Sequence, residues 1–183
     1  MPMRPGVLLD RDGVLNRVVV REGRRVSPRS LAEFELLPGA ARAVASLRGA
    51  GLPVVVVTNQ PDVARGLLAP EELARMHEHL RRRVQPDEIY ACLHDDADGC
   101  ACRKPRPGLL LRAAADFHLD LARSWMVGDS WKDVEAAQAA GCRMIFIPAP
   151  HADAGASKPR RVAVSLPDAA EMILAELNGK LKV

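Results

Sequence analysis

Residues 6–16 read Gly6-Val7-Leu8-Leu9-Asp10-Arg11-Asp12-Gly13-Val14-Leu15-Asn16. A short apolar run that stops on carboxylates and a glycine is the pattern of a buried strand delivering polar groups to its C-terminal end. The pattern recurs along the chain. Residues 52–57 are a β-branched run ending at Thr58 and Asn59, residues 124–127 stop at Gly128-Asp129, and residues 88–93, 143–147 and 162–165 are further strand candidates. Helical patterns fill the intervals at 38–50, 70–84, 107–118, 132–140 and 167–177, with Pro38 and Pro70 at helix starts and Gly51 and Gly141 as terminators. Short strands alternating with helices predict an α/β fold, a Rossmann-like and mostly parallel sheet with helices on both faces. The mixed, charged stretch 16–37 predicts irregular structure with a hairpin around Glu22-Gly23, and 151–161 reads as a surface loop. The 183 residues show no internal repeat and suit a single domain, 1–183, with a small insertion.

Composition narrows the function. Twenty-six basic and 23 acidic residues give a net charge of +3, too mild for a dedicated nucleic-acid binder. The basic run Arg81-Arg82-Arg83 falls at a predicted helix end, where cations favour the helix dipole. No apolar stretch reaches the roughly 20 residues needed to span a bilayer, so no membrane partner is expected. Met1-Pro2-Met3-Arg4-Pro5 leads straight into a strand without a signal-peptide pattern, and a cytoplasmic protein is expected. In that compartment clustered cysteines point to metal before disulfides. Cys92-Leu93-His94 and Cys100-Ala101-Cys102 supply four ligands of the kinds zinc prefers. Four protein ligands leave no open position, so a zinc loop at 92–102 would be structural. Arg103 and Lys104 follow directly, and such a loop would aim them.

Strand ends are where the chemistry gathers. Asp10 and Asp12 follow the first strand, Thr58 the second, and Asp129 and Asp133 a later one. Asp and Thr also serve there as caps and turn formers, which is a sufficient account of any one of them. Together with Arg103-Lys104 they would bring several carboxylates, a hydroxyl and two cations to one crevice. Asp133 suits either a helix start or a partner for Lys104 or for metal-bound water.

The ordered set Asp10-Arg11-Asp12-Gly13-Val14-Leu15-Asn16, Val57-Thr58-Asn59-Gln60, Cys102-Arg103-Lys104-Pro105 and Val127-Gly128-Asp129-Ser130 with Asp133 resembles the motifs of the haloacid-dehalogenase superfamily of phosphohydrolases. The wording is nearest the small branch without a large cap domain, which contains D-glycero-D-manno-heptose 1,7-bisphosphate 7-phosphatases and histidinol-phosphate phosphatases. The resemblance implies a magnesium-dependent phosphatase acting on a small phosphorylated metabolite, with Asp10 as nucleophile. A carboxylate needs no base to activate it. Magnesium would be held by Asp10, Asp129 and the Asp12 carbonyl, and would offset repulsion between carboxylate and phosphate. Thr58 and Lys104 would hold the phosphoryl oxygens. Asp12 would act as general acid and then base, kept protonated by neighbouring carboxylates. Asn59, Arg65, Arg103 and Lys104 would bind substrate. In the same branch Cys92, His94, Cys100 and Cys102 form a Cys₃His zinc loop. A monomer is expected.

One departure bears on specificity. Where heptose bisphosphate phosphatases usually continue Ser-Gly after Gln60, this chain has Pro61-Asp62, which removes a backbone N–H and adds a charge. The heptose reading predicts a second anion site, and Arg17, Arg21, Arg24, Arg25, Arg103 and Arg106 favour one over the cationic end of histidinol phosphate. A zinc-containing binding module would need a second finger-spaced Cys/His pair and a basic recognition helix, and neither is present. His77 and His79 sit two apart on a helix and make a poor ligand pair. His118 and His151 read as surface residues, Cys142 as a small buried one, and Trp125 and Trp131 as packing residues.

Overall fold

The structure is a computed structural model that describes residues 2–148 and 159–179. Five parallel strands form the sheet: β1 (Val7–Leu9), β4 (Val54–Asn59), β5 (Glu88–Cys92), β6 (Trp125–Gly128) and β7 (Arg143–Phe146), in the order β5-β4-β1-β6-β7. β1 lies in the middle, pairing with β4 through Val7 and Val54 and with β6 through Val7 and Trp125. Its three residues are fully buried, as a strand covered on both faces must be.

Alternation along the strands sorts two cores. Val7, Leu9, Val54, Val56 and Val127 face α1 (Ala40–Gly49), α2 (Pro70–Val84) and α5 (Leu166–Leu177). Leu8, Val55, Val57 and Met126 face α3 (Gly108–Phe117) and α4 (Trp131–Ala140). The helices start where local chemistry allows. Pro70 opens α2 with Glu71 and Glu72 in its first turn. Ser130 and Asp133 form a capping box on α4, and the Ser165 hydroxyl accepts from the Asp168 N–H at the start of α5.

Two sequence expectations are corrected. The strand expected at 162–165 is reduced to one bridge between Val162 and Phe146, because Ser165 is already the extended cap of α5. The 16–37 stretch does contain the expected hairpin, β2 (Val19–Arg21) with β3 (Arg24–Val26). Glu22 and Gly23 both take left-handed φ, 51° and 73°, the geometry of the tight turn that matches strand twist. Among the described residues this ribbon is the insertion between β1 and α1, and no cap domain accompanies it. His151 and most of the loop expected at 151–161 lie outside the described residues. None of the described helices is long and apolar enough to cross a membrane.

Candidate active site

The C-terminal ends of β1, β4 and β6 open onto a cleft of about 430 Å³ lined by Asp10, Asp12, Asn59 and Asp129 from the sheet side and by Lys104 from the loop after β5. Arg25 and Ser27 reach it from the ribbon, Arg65 and Arg103 from loops, and Trp131 and Lys132 from the start of α4.

Asp10 and Lys104 are the centre. The Lys104 ammonium lies 2.9 Å from Asp10 Oδ1 and 2.6 Å from Asp133 Oδ1, and all three side chains are nearly or wholly out of water. Burial and the Asp133 charge push the Asp10 carboxyl well above the usual carboxylate range, against the pull of Lys104. Burial alone would lower the Lys104 pKa, but Asp10 and Asp133 outweigh it and hold the ammonium charged. Asp133 fills both roles that the sequence left open: Oδ1 takes the lysine, while Oδ2 accepts from the Ser130 hydroxyl at 2.7 Å and from the backbone N–H of Asp129 and Ser130.

Asp10, Asp129 and Asp133 carry carboxylate oxygens within 4.8 Å of one another. Burial raises the Asp129 carboxyl to about 6, partly relieved by Arg25, whose guanidinium contacts it. Buried acids that repel one another, offering hard oxygens, suit a magnesium-sized cation. Asp133 is spent on Lys104 and on its cap, which leaves Asp10 and Asp129. Gly13 keeps the site tight. It has φ +84°, and a Cβ on it would fall 1.9 Å from Asp129 Oδ2.

Asp12 corrects an expectation. Its neighbours are donors, not carboxylates: Arg11 through Nε and Nη2, Asn16 Nδ2 at 2.8 Å, Ser27 Oγ at 2.8 Å and Gln60 Nε2 at 2.8 Å. Burial favours its neutral form, but Arg11 and the amide and hydroxyl donors outweigh it, so the carboxyl is pulled below its ordinary value.

The remaining site residues divide. Thr58 is buried and its hydroxyl accepts from Gln60 at 2.9 Å. Asn59 lines the cleft but spends its amide on the Lys104 backbone, donating to the carbonyl at 2.9 Å and accepting from the N–H at 3.1 Å. It therefore holds the lysine's loop in place. Arg65 pairs with Asp95 at 2.6 Å and Arg103 with Asp96 at 2.6 Å, so both rim cations are braced by acids. Asp62 is neutralised by Arg29 at 2.7 Å and by Arg65 at 3.5 Å. Of the arginines expected to form a basic rim, Arg25 and Arg103 line the cleft. Arg17 and Arg21 pair with Glu35 and Glu33, Arg24 is exposed, and Arg106 sits in a neighbouring cavity. Trp125 is core, as expected, whereas Trp131 lines the cleft. Sequence reasoning missed Lys132, although it sits beside the Asp129 motif. Burial and the Arg103 charge lower its pKa, as expected of a cation facing cations. Cys142 is half-buried and donates to the Ser124 carbonyl, and His118 is an exposed helix end with φ 53°.

The Cys/His group assembles as expected. Cys102 Sγ lies 3.1 Å from Cys92 Sγ, 3.5 Å from Cys100 Sγ and 3.3 Å from His94 Nδ1. Such separations are too long for a disulfide and fit the edges of a small tetrahedron around one soft-ligand cation.

His77 is buried on α2 and its Nε2 lies 3.1 Å from Arg11 Nη1. Burial, then Arg11 and Arg81, lower its pKa to about 3. The unfolded state therefore binds one more proton than the fold between about pH 6.5 and 3, and stability falls as pH falls through that window. Urea unfolding at pH 7 and pH 5 should show wild type losing about 2 kcal/mol more than His77→Gln. Equal losses would mean that the ring is not held neutral.

Comparison with known proteins agrees with this geometry. Residues 101–169 match the HAD-hydrolase-like family. Over 180 residues the chain is 36% identical to the D-glycero-beta-D-manno-heptose-1,7-bisphosphate 7-phosphatase of Bordetella bronchiseptica, covering 93% of this chain and 98% of that one. The chain belongs to the haloacid-dehalogenase superfamily, and it is a phosphatase of that superfamily, a phosphoric monoester hydrolase. Among its relatives, the D-glycero-alpha-D-manno-heptose-1,7-bisphosphate 7-phosphatase of Mycobacterium bovis is 40% identical over 154 residues, covering 77% of this chain and 78% of that one. The crystal structure of the B. bronchiseptica D,D-heptose 1,7-bisphosphate phosphatase, complexed with magnesium and phosphate, superposes with a TM-score of 0.81 at 34% identity. It covers 94% of this chain and 99% of that one.

Proposed function

We propose that the chain hydrolyses the 7-phosphate of D-glycero-D-manno-heptose 1,7-bisphosphate through a phospho-aspartyl intermediate. The observation that carries the chemistry is the buried Asp10–Lys104 pair at 2.9 Å, open to a cleft with further cations on its rim. Relatives named for this reaction support the substrate.

In this reading Asp10 attacks phosphorus. A bond forms from its carboxylate oxygen while the bond from phosphorus to the C7 oxygen breaks. Asp12 gives the departing oxygen its proton. Water then attacks the aspartyl phosphate, Asp12 takes a proton from it, and Asp10 and inorganic phosphate are released. Asp12 begins ionised in its ring of donors. The substrate's phosphate anion, placed beside it, favours its protonated form and so prepares the first transfer. Lys104 and Thr58 hold the equatorial oxygens. Bound magnesium, held by Asp10, Asp129 and the Asp12 carbonyl, would supply charge neutralisation at the phosphoryl group. Zinc on Cys92, His94, Cys100 and Cys102 would fix the loop that carries Lys104. The C1 phosphate would lie towards Arg103, Arg65 and Lys132.

A panel of kcat/KM values tests the assignment. The heptose bisphosphate should rank first, with heptose 7-phosphate much poorer, because remote binding energy orients the reacting end. Arg103→Ala should cut kcat/KM for the bisphosphate about 30-fold, the worth of one charged contact, and spare a small phosphate ester. Histidinol phosphate outranking every sugar bisphosphate would overturn the substrate and leave the chemistry standing.

A further inference from the structure

Arg11 separates Asp10 from Asp12, yet the mechanism gives it no task. Its side chain has no exposed surface. One edge of the guanidinium grips Asp12: Nη2 donates to Oδ1 at 2.9 Å and to Oδ2 at 3.1 Å, and Nε donates to Oδ1 at 3.1 Å. Its carbon stands 5.3 Å from the centre of the Phe34 ring. The remaining nitrogen, Nη1, meets His77 Nε2 at 3.1 Å. Arginine has donors only, so Nε2 must accept and the ring hydrogen must sit on Nδ1. A guanidinium is planar, and fixing one end of that plane fixes the other. His77 thus sets the angle at which Arg11 presents its far edge to Asp12, although 66 positions separate His77 from Arg11 in sequence.

We propose that His77 is a positioning residue for proton transfer. By accepting from Arg11 it aims the Asp12 carboxyl, without touching substrate. The proposal rests on the reading of Asp12 as the group that protonates the leaving oxygen. A misaimed Asp12 should slow phosphoryl transfer to Asp10 from a substrate whose leaving group needs a proton and spare transfer from one whose leaving group does not, whereas hydrolysis of the aspartyl phosphate is common to both. An apolar side chain at 77 would leave a buried Nη1 donor unpaired and free the guanidinium to turn. Glutamine keeps an acceptor oxygen.

The test measures, by rapid-quench single turnover at varied substrate concentration, the rate and half-saturation of Asp10 phosphorylation for wild type, His77→Leu, His77→Gln and Asp12→Asn on two substrates. One is the best sugar phosphate of the panel, whose alkoxide must be protonated. The other is p-nitrophenyl phosphate, whose phenolate leaves unaided. His77→Leu should slow Asp10 phosphorylation by the sugar phosphate about 10- to 100-fold, part of the usual worth of a general acid, with half-saturation little changed. Its phosphorylation by p-nitrophenyl phosphate should stay within about 3-fold of the wild-type rate, a change too small to signal a lost proton donor. His77→Gln should recover most of the loss, and Asp12→Asn should show the same selectivity more strongly. Equal losses on both substrates in His77→Leu, no loss on either, or a His77→Gln as damaged as His77→Leu would each overturn the role of His77. Should His77→Leu not fold, His77→Met carries the same comparison at a size nearer to histidine. The two readings fail separately. An unselective Asp12→Asn removes the acid role of Asp12 and the proposal with it, whereas a selective Asp12→Asn beside an unselective His77→Leu removes only the proposal.

Discussion

Asp10→Asn should lose turnover by on the order of 10⁴-fold or more, the scale seen when an enzyme's nucleophile is removed, while the protein stays folded. The amide cannot form the acyl phosphate. Structure argues that the fold survives the change. Burial and Asp133 push the Asp10 carboxyl towards its neutral form, so an uncharged amide there relieves repulsion within the acid cluster. Lys104 loses one carboxylate but keeps Asp133 at 2.6 Å. The melting temperature should therefore move by no more than about 5 °C, a change of roughly 1–2 kcal/mol for a chain of this size. Acid-quenched wild type should carry phosphate on Asp10 when examined by mass spectrometry. Wild-type turnover in pure Asp10→Asn, with deamidation excluded by mass, would end the covalent mechanism.

Loss of zinc should be the largest blow to stability. Protein purified without added metal is expected to hold about one zinc per chain. Cys100→Ser, or exhaustive chelation, should cost about 3 kcal/mol, or roughly 10 °C in melting temperature. The reason lies in what the loop connects. Its first ligand, Cys92, ends strand β5 and is buried, while its last, Cys102, stands two residues before Lys104. Between them Asp95 and Asp96 brace Arg65 and Arg103. Releasing the four ligands loosens a strand end, two rim cations and the central ammonium together. Turnover should fall with stability, and restored zinc should return both. Full activity and an unmoved melting curve after verified zinc removal would show that the loop holds itself.

The sequence made the sheet legible because buried parallel strands are short apolar runs and their polar terminators are the site. Asp10, Thr58 and Asp129 could be found for that reason, and Lys104 through the motif it shares with Cys102 and Arg103. The environment of Asp12 could not. Ser27 and Gln60 reach it from the ribbon and from beyond β4, and no spacing rule links residues brought together by a ribbon's path. Arg25 meets Asp129 across 104 positions for the same reason. Only part of the expected basic rim forms, Arg25 and Arg103 lining the cleft, and the shortfall could have been anticipated. Glu33 and Glu35 follow the ribbon closely enough in sequence to claim Arg21 and Arg17, and counting cations without the acids that follow overstates the free charge. The 162–165 strand was lost to the helix cap beside it, a local competition that β-branched composition alone does not reveal.

Asp133 makes the tolerance of one codon informative. A helix cap at that position needs a short acceptor, and Lys104 needs a buried anion within 2.6 Å. Serine or asparagine can meet the first need but carries no charge. Glutamate meets the second but is one methylene too long for the space. In a saturation library at 133, selection for phosphatase activity should therefore return aspartate nearly alone, whereas selection for soluble expression should also keep serine and asparagine, since Lys104 retains Asp10 at 2.9 Å. The difference between the two sets of survivors separates the anchoring of the central charge from the start of the helix, two tasks that one residue performs here.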